Sequence, residues 1–149
     1  EKAAVARANG CTHTIVTSSE NIAQRVREIT DGKGEPVVYD SVGKDTLEAS
    51  LDCLQPRGTL VSNGTSSGAV VLDTKLLAAK GSIWLTRPAM VHYIHPRPHM
   101  LSMADELFGH VLAGRIVSEP QQSFALADAA EAHRALEGRK TTGATVLVP

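Results

Sequence analysis

Strand-like and helix-like hydrophobic patterns follow one another along this chain of 149 residues. The apolar run Val37–Tyr39 predicts a short strand, and Thr59–Val61 predicts the next one. Between these runs Leu47, Leu51 and Leu54 recur at helical spacing. A strand, a helix and a strand in this order favour two parallel strands joined by a helical crossover.

Capping residues predict where this helix begins and ends. Asp45 and Glu48 have the spacing of a capping box, which satisfies the first free N–H groups of a helix. Pro56 and Gly58 predict its end, because proline cannot continue a helix and glycine tolerates the turn that follows.

The alternation continues on both sides of this unit. Further helices are predicted over Lys2–Ala8, from Ser18 or Ser19 to Gly32, over Lys75–Ala79, from about His99 to Gly114, and from the capping pair Asp128 and Glu131 to Gly138. Further strands are predicted over His13–Val16, Ile83–Thr86 and Thr145–Val148. Three prolines predict an irregular loop over Arg87–Pro98. The predicted class is therefore α/β, with a mostly parallel sheet flanked by helices.

Polar and small residues follow two of the predicted strands. Asp40–Gly43 comes after the first and Asn63–Gly68 after the second. Open parallel sheets bind ligands just outside the carboxyl ends of their strands, so both segments are expected to face one crevice. The sequence contains no G-x-G-x-x-G, the pattern of a dinucleotide-binding loop.

Composition narrows the classes of function. The net charge of −1 gives no basic surface for nucleic acid, and no apolar run reaches the roughly 18 residues of a membrane span. Two cysteines are too few for a disulfide scaffold, which makes the cytosol the expected location. His92, His95 and His99 lie among prolines with no neighbouring carboxylate, so we expect a polar loop and no metal.

Six segments of the sequence share one resemblance: VVYDSVG, SLDCLQPRG, SNGTSSGA, LTRP, MADELF and RKTTGATVLVP. They resemble the zinc-independent quinone oxidoreductases, ζ-crystallin-like members of the medium-chain dehydrogenase/reductase superfamily. The resemblance implies that residues 1–149 are the C-terminal portion of a Rossmann-type NADPH-binding domain without its first two strands and glycine-rich loop. It also implies that the segment from about 99 to 149 packs back toward an N-terminal catalytic domain, which is absent.

The activity implied by the resemblance is hydride transfer from NADPH to a quinone by the full-length protein. No catalytic residue is expected within this chain, and the fragment alone is expected to be inactive. A homodimer through the edge strand Ile83–Thr86 is also implied. Two alternatives stay open: a zinc-free reductase of enone or enoyl C=C bonds, and a fragment that only dimerises or binds nucleotide.

The resemblance also implies a set of cofactor-binding positions: Lys2, Thr17, Val42, Gly43, Asn63, Gly64, Thr65, Ser66, Arg87 and Arg139. Lys2 falls where the family places a basic residue against the 2′-phosphate of NADPH, and an ammonium group there favours NADPH over NADH. Thr17 and Asn63 depart from the family, which often carries tyrosine and phenylalanine at these positions. For Lys2, Arg87 and Arg139 the alternative is a solvated surface charge.

Overall fold

The computed structural model describes residues 1–117 and 119–149, which form two compact units. One unit is His13–Pro96, and the other combines Glu1–Thr12 with Arg97–Pro149. The helices are α1 (Lys2–Ala8), α2 (Ile22–Ile29), α3 (Leu47–Asp52), α4 (Thr74–Ala79), α5 (Met90–Ile94), α6 (Arg97–Leu112) and α7 (Ala129–Glu137). The strands are β1 (Glu35–Asp40), β2 (Leu54–Ser62), β3 (Trp84–Thr86), β4 (Gln122–Ala125) and β5 (Thr145–Val148). The predicted α/β class with parallel sheets is confirmed.

The unit His13–Pro96 contains a parallel sheet in the order β1-β2-β3. Its core lies on one face of this sheet, where Leu51 of α3 packs with Leu54, Leu60 and Ile83. Strand alternation sends Val37, Tyr39 and Trp84 to the opposite face, where they are 41%, 75% and 69% exposed. We call this second face the open face of the sheet.

The predicted boundary between α3 and β2 is wrong. The helix ends at Asp52, and Leu54 already pairs with Glu35 of β1. Pro56 therefore lies inside a central strand, next to the register shift between Glu35 and Val37. Such an irregularity accommodates proline because the ladder is interrupted there.

Two further predictions in this unit are wrong. His13–Val16 is not a strand, because it pairs with none of the strands in the described residues, and the carbonyl of Val16 instead accepts from Ser19 and Glu20. Helix α2 is capped by Asn21, whose Oδ1 accepts from the Gln24 N–H at 2.9 Å, and neither Ser18 nor Ser19 has that role.

The predicted irregular loop over Arg87–Pro98 is also only partly right. It contains the short helix α5, and α6 begins at Arg97, so Pro98 occupies the first turn of a helix. Proline is tolerated there because its missing N–H would have no partner within the helix.

The second unit contains α1, α6 and a β4–α7–β5 segment whose two strands pair in parallel. The predicted strand Thr145–Val148 and the helix before it are confirmed. Strand β4 has no apolar run to predict it; pairing of Phe124 with Leu147 and its neighbours makes it a strand. Asp128 and Glu131 are at the start of α7, but Asp128 accepts no capping hydrogen bond.

Candidate functional site

The carboxyl ends of β1 and β2 meet at one edge of the three-stranded sheet. Asp40, the last residue of β1, pairs with Ser62, the last residue of β2. The loops that follow these residues lie side by side, and we refer to residues 41–46 and 63–68 together as the rim. This is the edge at which open parallel sheets bind their ligands.

Asp40 organises the first half of the rim. The residue is 5% exposed, and its carboxylate accepts hydrogen bonds from the Val42 N–H at 2.8 Å and the Gly43 N–H at 3.0 Å. The hydroxyl groups of Thr46 and Ser50 donate to the same carboxylate, each at 2.8 Å to Oδ2. The side chain of Asp40 therefore fixes the turn after β1 to the start of α3.

These contacts determine the charge of Asp40. Burial raises the pKa of its carboxyl group, but the hydrogen bonds from Gly43, Ser50, Val42 and Thr46 together outweigh it and hold the pKa below the ordinary 3.8. The carboxylate is therefore charged at neutral pH. Because the folded-state pKa is lowered, its contribution to stability is present above pH 3.8 and is lost as the pH falls through the lowered pKa.

The backbone joins the two halves of the rim. The carbonyl of Asp40 accepts from the Asn63 N–H at 2.8 Å and the Gly64 N–H at 3.2 Å. The carbonyl of Val42 accepts from both the N–H and the hydroxyl of Ser67, each at 2.9 Å. The two loops therefore contact each other directly, and a ligand at this edge would lie over them.

Two glycines allow this contact. A Cβ on Gly64 would lie 1.9 Å from the carbonyl oxygen of Ser41, and one on Gly43 would lie 2.8 Å from that of Gly68. Gly43 also has a φ of +98°, which favours glycine. Gly43 and Gly64 are two of the cofactor-binding positions that the resemblance implies, and in the structure each makes room for the backbone of the neighbouring loop.

Arg87, directly after β3, contacts the same edge. Its Nη1 donates to the carbonyl of Ser62 at 3.0 Å and to that of Gly64 at 3.4 Å. The hydroxyl of Ser62 is buried and has no hydrogen-bond partner among the described residues. Arg87 thus holds the backbone of the rim, and the other nitrogens of its exposed guanidinium have no hydrogen-bond partner among the described residues.

Seven of the ten predicted positions lie together on or beside the rim: Val42, Gly43, Asn63, Gly64, Thr65, Ser66 and Arg87. Asn63, Thr65 and Ser66 are exposed. Within the part of the chain that the structure describes, the backbone N–H groups of Thr65 and Ser66 have no acceptor. Thr17 is not on the rim; it lies in an exposed turn before α2.

The other two positions belong to the unit that contains α1 and α7. Lys2 borders a cleft of about 470 Å³, together with Val5, Asn9 and the segment 141–143. Its side chain forms no ion pair with the residues that the structure describes. The ammonium group is therefore available to an anionic ligand.

Arg139 has an unusual backbone conformation. The N–H groups of Arg139 and Lys140 donate to the carbonyls of Leu136 and Ala135, which is the Schellman pattern at the end of α7. Arg139 has a φ of 54° in the position that glycine usually occupies, although Gly138 directly precedes it. A side chain in this left-handed conformation costs about 1–2 kcal/mol.

With the geometry established, comparison with known proteins decides the family. Residues 9–147, almost the whole chain, match the zinc-binding dehydrogenases. The chain belongs to this family.

Individual members of the family give closer matches. The chain is 54% identical over its full length to a quinone oxidoreductase of Pseudomonas aeruginosa and covers 46% of that protein. It is 46% identical to a 2-haloacrylate reductase of Burkholderia, again over its full length and 45% of the relative. A crystal structure of Escherichia coli quinone oxidoreductase complexed with NADPH superposes with a TM-score of 0.93 at 44% identity, over 99% of this chain and 46% of that one. The chain thus spans about half the length of these relatives.

Although the family is named for zinc binding, residues 1–117 and 119–149 of this member contain no group of three His, Cys, Asp or Glu side chains that could hold a metal ion. The same residues contain no helix with the length and apolar character that crossing a membrane requires.

The hydrogen bonds of Asp40, which organise the rim of this family member, were not predicted from the sequence. The sequence predicts only that Asp40 begins the polar segment that follows the first strand and faces the crevice, and it predicts the start of the helix at Asp45 with Glu48. The structure shows neither of these two capping α3; the N–H of Asp45 donates to Ser67. The signal that could have revealed Asp40 is the spacing of Thr46 and Ser50, four residues apart and so on one side of a helix.

Proposed function

We propose that the full-length protein carrying this chain reduces quinones with NADPH, and that this chain supplies part of its NADPH-binding domain. The observation that carries the proposal is the 54% identity to a quinone oxidoreductase over the whole chain. The direct test is NADPH oxidation by the purified full-length protein with 1,2-naphthoquinone as acceptor. Absence of turnover, with NADPH binding intact, would refute quinone as the substrate.

The residues present fit a dinucleotide. The rim combines a hydrogen-bonded backbone at the carboxyl edge of a parallel sheet with the exposed Asn63 side chain and the N–H groups of Thr65 and Ser66. Such donors suit carboxamide or phosphate oxygens, and the exposed Arg87 guanidinium adds a positive charge. When bound, NADPH supplies the hydride, and these residues bind and orient the cofactor.

Lys2 is proposed to select the cofactor by binding the 2′-phosphate. Lys2→Glu should weaken NADPH binding by about 1–3 kcal/mol, the scale of a hydrogen bond to a charged group, and leave NADH nearly unchanged. Arg7→Glu is the matched control, because Arg7 is also an exposed basic residue of α1 and does not line the cleft. Calorimetric titration of each full-length variant with both cofactors measures the effect. Equal losses for NADPH and NADH, or equal effects of the two variants, would contradict the assignment.

Arg139 is proposed to contact the cofactor. Because its backbone has a conformation that favours glycine, this contact can be tested by a substitution that does not strain the fold. Arg139→Gly removes the guanidinium but suits the φ of 54°. We expect the melting temperature to hold or rise slightly, while the Kd for NADPH rises about tenfold or more, equivalent to 1.4 kcal/mol. An unchanged Kd would make Arg139 a surface charge, and a marked fall in melting temperature would make it a structural residue.

The rest of the assembly is proposed from exposed apolar surface. On α6, Leu101, Leu107 and Phe108 are exposed, which supports packing of the segment from about 99 to 149 against a catalytic domain. Strand β3 lies at the edge of its sheet, which supports a homodimer formed there. The strand covers only Trp84–Thr86, and the preceding residue, Ile83, is buried. We propose that this dimer is cytoplasmic and that its reaction does not use zinc.

A second candidate function is reduction of an activated C=C bond. The 46% identity to a 2-haloacrylate reductase over the whole chain favours it. Parallel assays of the full-length protein with the quinone, an enone and 2-chloroacrylate separate the two functions. If NADPH binds and none of the three acceptors is reduced, the chain would instead serve dimerisation or nucleotide binding.

A further inference from the structure

Asp40 is bonded to both halves of the rim, through different atoms. Its carboxylate accepts from the Val42 and Gly43 N–H groups, at 2.8 and 3.0 Å. Its carbonyl accepts from the Asn63 and Gly64 N–H groups, at 2.8 and 3.2 Å. Asp40 thus bonds to the turn after β1 with its side chain and to the loop after β2 with its backbone. No other residue in the described part of the chain combines these two kinds of bond.

The carboxylate of Asp40 also reaches the second loop through Val42. The Val42 N–H donates to the carboxylate of Asp40, and the Val42 carbonyl accepts two hydrogen bonds from Ser67. Loss of the carboxylate would therefore remove one of the bonds that hold Val42, the residue whose carbonyl accepts from Ser67. A change in the side chain of residue 40 should reach the second loop by this route.

We propose that Asp40 is a positioning residue that holds the two loops of the rim as one rigid surface for the dinucleotide. The carboxylate has four donors and no cation partner in the described part of the chain, so its bonds serve the shape of the rim. The identity of the ligand rests on the proposed function, whereas the coupling of the two loops does not.

Two substitutions separate geometry from stability. Asp40→Ala removes every acceptor of the side chain and leaves the part-buried N–H of Val42 and the buried N–H of Gly43 without their partner. Asp40→Asn keeps an oxygen for those two N–H groups, and its NH₂ group can donate to the hydroxyl oxygens of Thr46 and Ser50. Ser62→Ala is the matched control, because Ser62 pairs with Asp40 in the sheet and its buried hydroxyl is unbonded within the described residues.

The experiment measures hydrogen exchange and steady-state kinetics of the full-length protein. For Asp40→Ala we expect faster amide exchange in both 42–46 and 63–68, and a KM for NADPH about tenfold higher with the KM for quinone within about threefold of wild type. Asp40→Asn should restore the KM for NADPH to within about threefold, yet melt at a lower temperature, because hydrogen bonds to a charged carboxylate are roughly twice as strong. Ser62→Ala should match wild type in both measurements.

Two results would overturn the inference. Faster exchange confined to 42–46 would show that the loops are not coupled through Asp40. A lower melting temperature for Asp40→Ala with an unchanged KM for NADPH would show that Asp40 serves folding alone. If the wild-type protein neither binds NADPH nor reduces a quinone, the proposed function fails, and the exchange of residues 63–68 in Asp40→Ala still decides the coupling.

Discussion

Replacing Gly64 by alanine is expected to disrupt the rim. The added Cβ would lie 1.9 Å from the carbonyl oxygen of Ser41 and 2.5 Å from its carbonyl carbon, and neither backbone atom can rotate away as a flexible side chain would. One of the two loops must therefore move, breaking hydrogen bonds to Asp40. We expect a loss of about 3 kcal/mol or more, the upper end of the range for overpacking.

The loss is measured as the fall in melting temperature of the full-length protein, together with its Kd for NADPH. Gly109→Ala is the matched control, since a Cβ there meets nothing within 4 Å. Gly109 is an exposed residue of α6. Alanine at a helical position should stabilise by up to about 1 kcal/mol. Similar effects of the two substitutions would contradict the direct contact between the loops.

The second large effect is expected in the core. Leu60 is 0% exposed and packs against Leu51, Leu54 and Ile83, so Leu60→Ala should cost about 2–5 kcal/mol. Val71→Ala removes apolar atoms from a side chain that is 89% exposed and should change stability by less than about 0.5 kcal/mol.

Thermal unfolding of both full-length variants measures this difference. Because the side chain of Leu60 lies in the core, away from the polar rim, the KM for NADPH of the folded variant should stay near that of wild type. A shift for Leu60→Ala no larger than that for Val71→Ala would place the core elsewhere.

The parts of the fold that the sequence predicted are those that local pattern determines. The apolar runs of β1 and β2 and the leucines of α3 are short-range features, and they led correctly to a parallel unit with loops at one edge. His13–Val16 has the same apolar character but is not a strand, because strand pairing depends on a neighbour that lies far away in sequence. Strand β4 shows the converse, since pairing with β5 makes a strand of a segment with little apolar character.

The location of the candidate site was predictable from the sequence, but the contacts within it were not. Positions after the strands were identified correctly as one edge, because topology alone brings carboxyl ends together. The contact between Gly43 and the second loop was not predictable, because the sequence does not state whether a glycine makes room for a ligand or for another backbone. The role of Asp40 depends on four donors that converge only in three dimensions.

The open face of the sheet has one practical consequence. Trp84 is the only tryptophan in this sequence, and it lies on that face with 69% of its surface exposed to solvent. Indole fluorescence depends on the polarity around the ring, so this chain contains its own optical reporter for whatever covers the face. In the isolated chain the emission should be that of an indole in water and readily quenched by iodide. Association at this face would move the emission maximum to shorter wavelength and protect it from the quencher.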